Sequence, residues 1–178
     1  EQQAEWLPGL IAGEKRIALA ADEQPRHDPA DIALAARREG QGWVLTGDKV
    51  FVADGGGADA FVVVARTSGK PGDTAGLSLF LVPADAAGLR VSPMKLVDSR
   101  NYARVSLDAV QGDAAMLLGT EGEGWAALDA ALDGQLVIRT GDPASVVPAI
   151  CVETGARGVH VSGESTPYGR RRDTAVAQ

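Results

Sequence analysis

Residues Gly42 to Gly57, read as Gly-Trp-Val-Leu-Thr-Gly-Asp-Lys-Val-Phe-Val-Ala-Asp-Gly-Gly-Gly, constrain this chain more than any other stretch. Trp43 and Leu45, then Val50 and Val52, are apolar positions on either side of Thr46-Gly47-Asp48. The run therefore reads as two short strands and a tight connection, a β-hairpin. Ala60 to Ala65, Ala-Phe-Val-Val-Val-Ala, follows as an unbroken apolar run of strand length, the pattern of a strand covered on both faces.

The neighbouring segments repeat this grammar. Arg16 to Ala21 forms a first strand and Ile32 to Arg38 a second, which turns through Glu39-Gly40-Gln41 into the central stretch. Gly76 to Val82, Leu89 to Val97 and Asn101 to Leu107 supply three more, the last alternating Ala103, Val105 and Leu107 against Arg104, Ser106 and Asp108. Polar loops at 22–29 and 67–75 separate them. Gln2 to Gly13 holds Trp6, Leu7, Leu10 and Ile11 at helical spacing, and Gly119-Thr120-Glu121-Gly122-Glu123-Gly124 opens a helix through Trp125, Leu128 and Leu132. Short strands at this spacing predict an α+β, mainly β fold, a sandwich or barrel.

Composition bounds the function. The chain has 178 residues, 45% hydrophobic but only 4% aromatic, with 22 Gly and 9 Pro, so its core is built from Val, Leu, Ile and Ala between many turns. A net charge of -7 argues against a nucleic-acid surface, which needs basic residues to displace phosphate counterions. Arg170-Arg171-Arg172 is too short a run to change that and reads as a solvated face. No apolar run approaches the ~18 to 20 residues that span a bilayer. The one cysteine, Cys151, sits between Ile150 and Val152 and reads as a small buried hydrophobe, and a chain with no disulfide suits the reducing cytoplasm. No metal-binding pattern stands out.

The phrases in fixed order resemble the middle β-domain of acyl-CoA dehydrogenases, over about residues 1 to 134. They are Trp-Leu-Pro-Gly-Leu near the start, the central stretch, Gly-Leu-Ser-Leu-Phe-Leu-Val-Pro, Gly-Leu-Arg-Val, Leu-Val-Asp-Ser-Arg-Asn and Leu-Leu-Gly-Thr-Glu-Gly-Glu-Gly. The resemblance implies a Greek-key β-barrel or sandwich that presents FAD, with an acyl-CoA substrate and a homo-oligomeric assembly. It implies that Phe51 faces the isoalloxazine ring, with Val52 and Ala53 beside it, Ala53 standing where the family has a threonine hydroxyl. It also implies that Asp22, Glu23, His27 and Asp28 line the ring and pyrophosphate. Asp22 is an anion where the family has a neutral hydroxyl, and His27 replaces serine. On the residues alone, Arg26-His27-Asp28 reads as an exposed turn with a local ion pair. The loop at 119–124 has the form of a phosphate cradle but carries two glutamates, and the family reading is a hinge near the coenzyme A portion of the substrate.

The dehydrogenase pattern calls next for a helical bundle carrying the glutamate that removes the substrate α-proton. The chain instead reads as a strand at Gln135 to Ile138, a helix from Asp142-Pro143 to Glu153 or Thr154 stopped by Gly155, and a strand at Val159 to Ser162. That is βαβ grammar. Leu-Val-Ile-Arg-Thr-Gly-Asp-Pro, Val-Val-Pro-Ala and Pro-Tyr-Gly-Arg-Arg-Arg-Asp resemble the N-terminal α/β domain of DNA photolyases and cryptochromes. The expected layout is a helix remnant at 1–13, a flavin-binding β-domain at 14–120, a linking helix at 121–135 and a partial βαβ unit at 136–178. The expectation is a chimera that carries a flavin scaffold but no catalytic residue, with two alternatives: a folded protein of no activity, or an oxidoreductase completed by partner chains.

Overall fold

Strand β4 (Ala60–Arg66) sits where the unbroken apolar run predicts, and it is buried along nearly its whole length. Phe61, Val63 and Ala65 face one side of it and Val64 and Arg66 the other, so a run without polar alternation is the signature of a strand walled on both faces. It pairs antiparallel with β5 (Leu77–Pro83), from Ala60 opposite Pro83 to Arg66 opposite Leu77. Along its other edge it pairs in parallel with β1 (Ile17–Ala20) and, at Arg66, with β2 (Ala35–Glu39).

The computed structural model describes residues 2–96, 101–131 and 143–155. The chain divides into two compact units, Glu1–Leu132 and Asp133–Gln178. In the first, β3 (Gly42–Ala53), β6 (Leu89–Met94), β7 (Tyr102–Gly112) and β8 (Leu117–Leu118) join the strands above in one mixed eight-stranded sheet, ordered β6-β7-β3-β2-β4-β5-β8 with β1 beside β4. The α+β, mainly β expectation is met. The sheet curls on itself: Trp43 of β3 meets Phe80 of β5 edge-on, ring centroids 5.1 Å apart, although two strands separate β3 from β5 along the sheet. Both rings are buried, in a core otherwise filled mainly by Val, Leu, Ile and Ala, with Phe61 and Met116.

One expectation is corrected. Thr46-Gly47-Asp48 is not a turn; β3 runs unbroken through it for 12 residues. The hairpin is β2 with β3, closed at Gly40-Gln41 with Gly40 at φ 60°. Gly47 is required for a different reason: with φ 146° it lies against Leu34, where an added Cβ would stand 2.8 Å from Leu34 Cγ. The pairing of β3 with β7 then slips twice. Between Leu45 and Gly47 the extra residue is on β7, with Ala109 at φ 50°; between Lys49 and Val52 it is on β3, with Phe51 at φ 52°. These are β-bulges, each with a non-glycine residue in the left-handed region.

Helix α1 (Gln2–Ile11) ends before Gly13, which has φ 72°. Its Gln2 side chain donates to the carbonyl of Ala115, and Lys15 lies 4.3 Å over the Trp6 ring, while Leu7 and Ile11 stay exposed. Helix α2 (Gly124–Ala131) buries Leu128 and is held to β5 at its start, where Gly122 N donates to the buried Ser78 hydroxyl at 2.8 Å. A Cβ on Gly124 would sit 2.9 Å from Leu77 O, so glycine is the residue this close approach permits.

In the second unit the predicted helix is present as α3 (Pro143–Thr154), followed by Gly155 at φ 68°. Cys151 on it is half-buried rather than buried. The flanking strands expected at 135–138 and 159–162 lie outside the described residues, as do Asp98-Ser99-Arg100, Leu132, Asp142 and the Arg170 cluster.

Candidate functional site

The loop that leaves β1 returns through residues 22–34 to the start of β2, and a buried lysine holds it at both ends. Lys49 points inward from β3 with no solvent exposure, and Nζ donates to Ala21 O at 2.9 Å and to Glu23 Oε1 at 2.8 Å. The Glu23 carboxylate then accepts from Ala33 N at 2.8 Å and Leu34 N at 2.9 Å. One carboxylate thus joins the first turn of the loop, its last residues and the middle of β3. Burial pushes the Lys49 ammonium down from 10.5 to about 8, against the opposing pull of Glu23 and then Asp22.

Asp22 is placed by the same anchor. Its carbonyl accepts from Val50 N at 2.8 Å, one residue before Phe51, and its carboxylate lies 2.8 Å and 2.9 Å from His27 Nδ1 through its two oxygens. That contact makes Nδ1 the protonated nitrogen and leaves Nε2 of a half-exposed ring available. Arg26 donates to Asp28 at 3.0 Å, the exposed local pair that the residues alone suggested, worth at most ~1 kcal/mol.

The bulge sets what β3 presents beside this loop. Without it, alternation would place Phe51 on the side of Lys49; the extra residue restarts the phase, so that Val52 is buried and Phe51 is half-buried. Phe51 meets Tyr102 edge-on, with centroids 6.4 Å apart and planes at 74°. Ala53 is exposed and lies opposite Tyr102 in the β3–β7 register. Val52 faces the core and is 1% exposed as a whole residue, so the outward surface at the end of β3 is that of Phe51 and Ala53.

Of the residues singled out from the sequence, Asp22, Glu23 and His27 thus come together at the base of the loop, Phe51 to Ala53 follow directly on β3, and Asp28 is occupied with Arg26. Glu23 has its carboxylate filled by three protein donors. Two residues escaped the sequence reading. Lys49 carries a signal, a cation at an inward position of an apolar strand; Tyr102 carries one only after the bulge has fixed its register against Ala53. In the loop at 119–124 two of the N–H groups that an anion would use are taken, Gly122 N by the Ser78 hydroxyl and Glu123 N by Thr120 O. Among the described residues no group of three His, Cys, Asp or Glu could hold a metal, and no helix is long and apolar enough to cross a membrane.

The acyl-CoA dehydrogenase middle-domain model matches residues 18–110, and the DNA photolyase model matches residues 86–178. Acyl-CoA dehydrogenase FadE12 of Mycobacterium tuberculosis is 33% identical over 78% of this chain and 36% of its own length. Acyl-CoA dehydrogenase AFT10-1 of Alternaria alternata is 34% identical over 75% of this chain and 31% of its own. The chain therefore spans about a third of the length of these relatives. Among solved structures, a glutaryl-CoA dehydrogenase from Mycobacterium smegmatis in complex with FADH2 superposes with a TM-score of 0.62 at 30% identity, covering 70% of this chain and 32% of that one. An FAD-dependent dehydrogenase does so with a TM-score of 0.67 at 32% identity, covering 72% and 36%. The overlap of the two matches, residues 86–110, contains β6 and most of β7, which pair with each other and, through β7, with β3, so in the fold it belongs to the first unit.

A flavin ring needs an apolar wall open to solvent on one side, and Phe51 with Tyr102 offers it, with the exposed Ala53 at its margin. The ring portion of FAD fits these residues. Toward a diphosphate the loop would offer the exposed guanidinium of Arg26, which also holds Asp28 through Nη2, whereas His27, with Nδ1–H given to Asp22, presents a lone pair at Nε2. By sequence and fold the chain belongs to the acyl-CoA dehydrogenase family through residues 18–110, and by sequence to the DNA photolyase family through residues 86–178.

Proposed function

We propose that residues 14–120 are the flavin-presenting domain of an FAD-dependent acyl-CoA oxidoreductase, preceded by a helix at 1–13 and joined through a linking segment at 121–135 to a photolyase-like piece at 136–178. The observation that carries this is the bulge at Phe51, which turns an aromatic ring outward beside a loop anchored by Glu23 and Lys49. Phe51 would stand against the isoalloxazine ring, Ala53 would lie at its edge with the buried Val52 behind it, and Arg26 would reach toward the diphosphate beside His27. Asp22 orients His27 through its contact with Nδ1.

FAD, when bound, supplies a hydride acceptor for oxidation of an acyl-CoA thioester. The residues here bind and orient; none of them is placed as the base that removes an α-proton. The family pattern puts that base in a helical bundle, and over 136–178 this chain carries photolyase-like sequence instead. Oxidation of acyl-CoA would take its base from outside residues 1–178, and a homo-oligomer is one assembly that could supply it.

Titration of the chain with FAD, followed by flavin fluorescence, tests the reading. Saturable quenching that Phe51→Ala weakens is expected; no quenching, or quenching indifferent to Phe51→Ala and Arg26→Ala, overturns it. The overlapping matches at 86–110 favour a second reading, a recombinant protein that folds without chemistry. That reading expects colourless purified protein that retains no flavin absorbance once added FAD is removed by desalting.

A further inference from the structure

We infer that Tyr102 is a positioning residue that sets the tilt of the Phe51 ring on the flavin-facing surface; this rests on the flavin reading above.

Three observations carry it. Phe51 is the extra residue of a bulge, so it has no partner in the β7 ladder, and its backbone is held at φ 52°, a conformation that side-chain-bearing residues seldom adopt. A ring standing on such a residue is oriented by what it touches. Among the described residues the aromatic group it touches is Tyr102, edge-to-face at 6.4 Å and 74°, within the geometry that aromatic quadrupoles prefer. Tyr102 is itself fixed from both sides, since its backbone lies opposite Ala53 of β3 and opposite Met94 of β6. Ala53 is the smallest side chain that still has a Cβ, so little crowds the Tyr102 ring on the side from which it approaches Phe51. The exposed face of three strands thus converges on one ring pair, and Ala53, which lacks a hydroxyl, takes part by being small.

The experiment titrates the full chain with FAD as wild type, Tyr102→Phe and Tyr102→Ala, reading the dissociation constant, the visible circular dichroism of bound flavin and the urea midpoint. Tyr102→Phe keeps the ring edge and should match wild type in all three. Tyr102→Ala should weaken FAD about three- to tenfold and alter the flavin dichroism. A merely structural tyrosine would lower the midpoint and leave the flavin dichroism unchanged. Unchanged affinity and dichroism in Tyr102→Ala overturn the inference. If wild type itself binds no FAD, the flavin reading falls and the positioning is judged from the Phe51 ring proton shifts by NMR. Those shifts should hold in Tyr102→Phe and move toward random-coil values in Tyr102→Ala; no movement overturns the inference there too.

Discussion

Lys49 Nζ lies 2.8 Å from Glu23 Oε1 with the lysine side chain wholly removed from solvent and the glutamate side chain 11% exposed. The two partners are unequally replaceable. Glu23 would keep the N–H groups of Ala33 and Leu34 without its lysine, whereas Lys49 without a carboxylate would retain only Ala21 O. Lys49→Met is expected to cost about 0–2 kcal/mol and Glu23→Gln about 3–5 kcal/mol, because an uncompensated buried charge is the more expensive remnant. Urea denaturation of both variants checks this; equal losses would show that the pair is not what holds the loop.

The same pair fixes the sign of a pH effect. Lys49 titrates near 8 in the fold and near 10.5 when unfolded, so between those values the unfolded chain binds more protons. Stability then rises with pH through this group, since the cost of keeping a buried ammonium is progressively relieved. The stability of wild type relative to Lys49→Met should increase from about pH 8 toward 10.5. Denaturation midpoints of both proteins across that range read it, and a falling difference would mean that the ion pair outweighs burial.

Arg66 is a buried guanidinium held by carbonyls. Nε donates to Ile32 O at 2.8 Å, Nη1 to Ser68 O and Ala75 O, and Nη2 to Ala30 O and Asp73 O at 3.1 Å and 2.9 Å. It joins the end of the 22–34 loop to the 67–75 loop. Lysine cannot reproduce a planar fork, so Arg66→Lys should cost about 2–4 kcal/mol and Arg66→Met at least as much. Hydrogen exchange should quicken first at residues 67–76; unchanged exchange there would refute the role.

Gly47→Ala should cost about 1–3 kcal/mol, because it adds a methyl 2.8 Å from Leu34 Cγ at a φ of 146° that alanine resists. Thermal denaturation measures it. A neutral result would mean that the 33–34 segment moves aside freely, which Glu23 should prevent.

These residues also mark where the sequence was legible. The turn at Gly40-Gln41, the buried strand at Ala60 and the helix ending before Gly155 follow from local composition and were read from it. Thr46-Gly47-Asp48 was misread because Gly47 answers to Leu34, 13 positions earlier, and not to a local bend. Phe51 was read from resemblance, but its outward aim comes from a bulge that alternation cannot reveal. Lys49 finds its carboxylate 26 residues away, and Tyr102 finds Phe51 only once β3 and β7 are in register. Periodicity records which face a residue takes, and partners across strands leave no such trace.

The two bulges between β3 and β7 have opposite effects on register: one displaces the ladder by a residue at Ala109, the other restores it at Phe51. Gly47 to Lys49 is therefore an offset island between two stretches that share one alignment. Losing either inserted residue by deletion would leave everything beyond it turned inside out, while losing both would leave the outer pairings intact. A lineage of such domains should tolerate gaps here only in compensated couples, so the outward aromatic is protected by a residue on the opposite strand that it never touches.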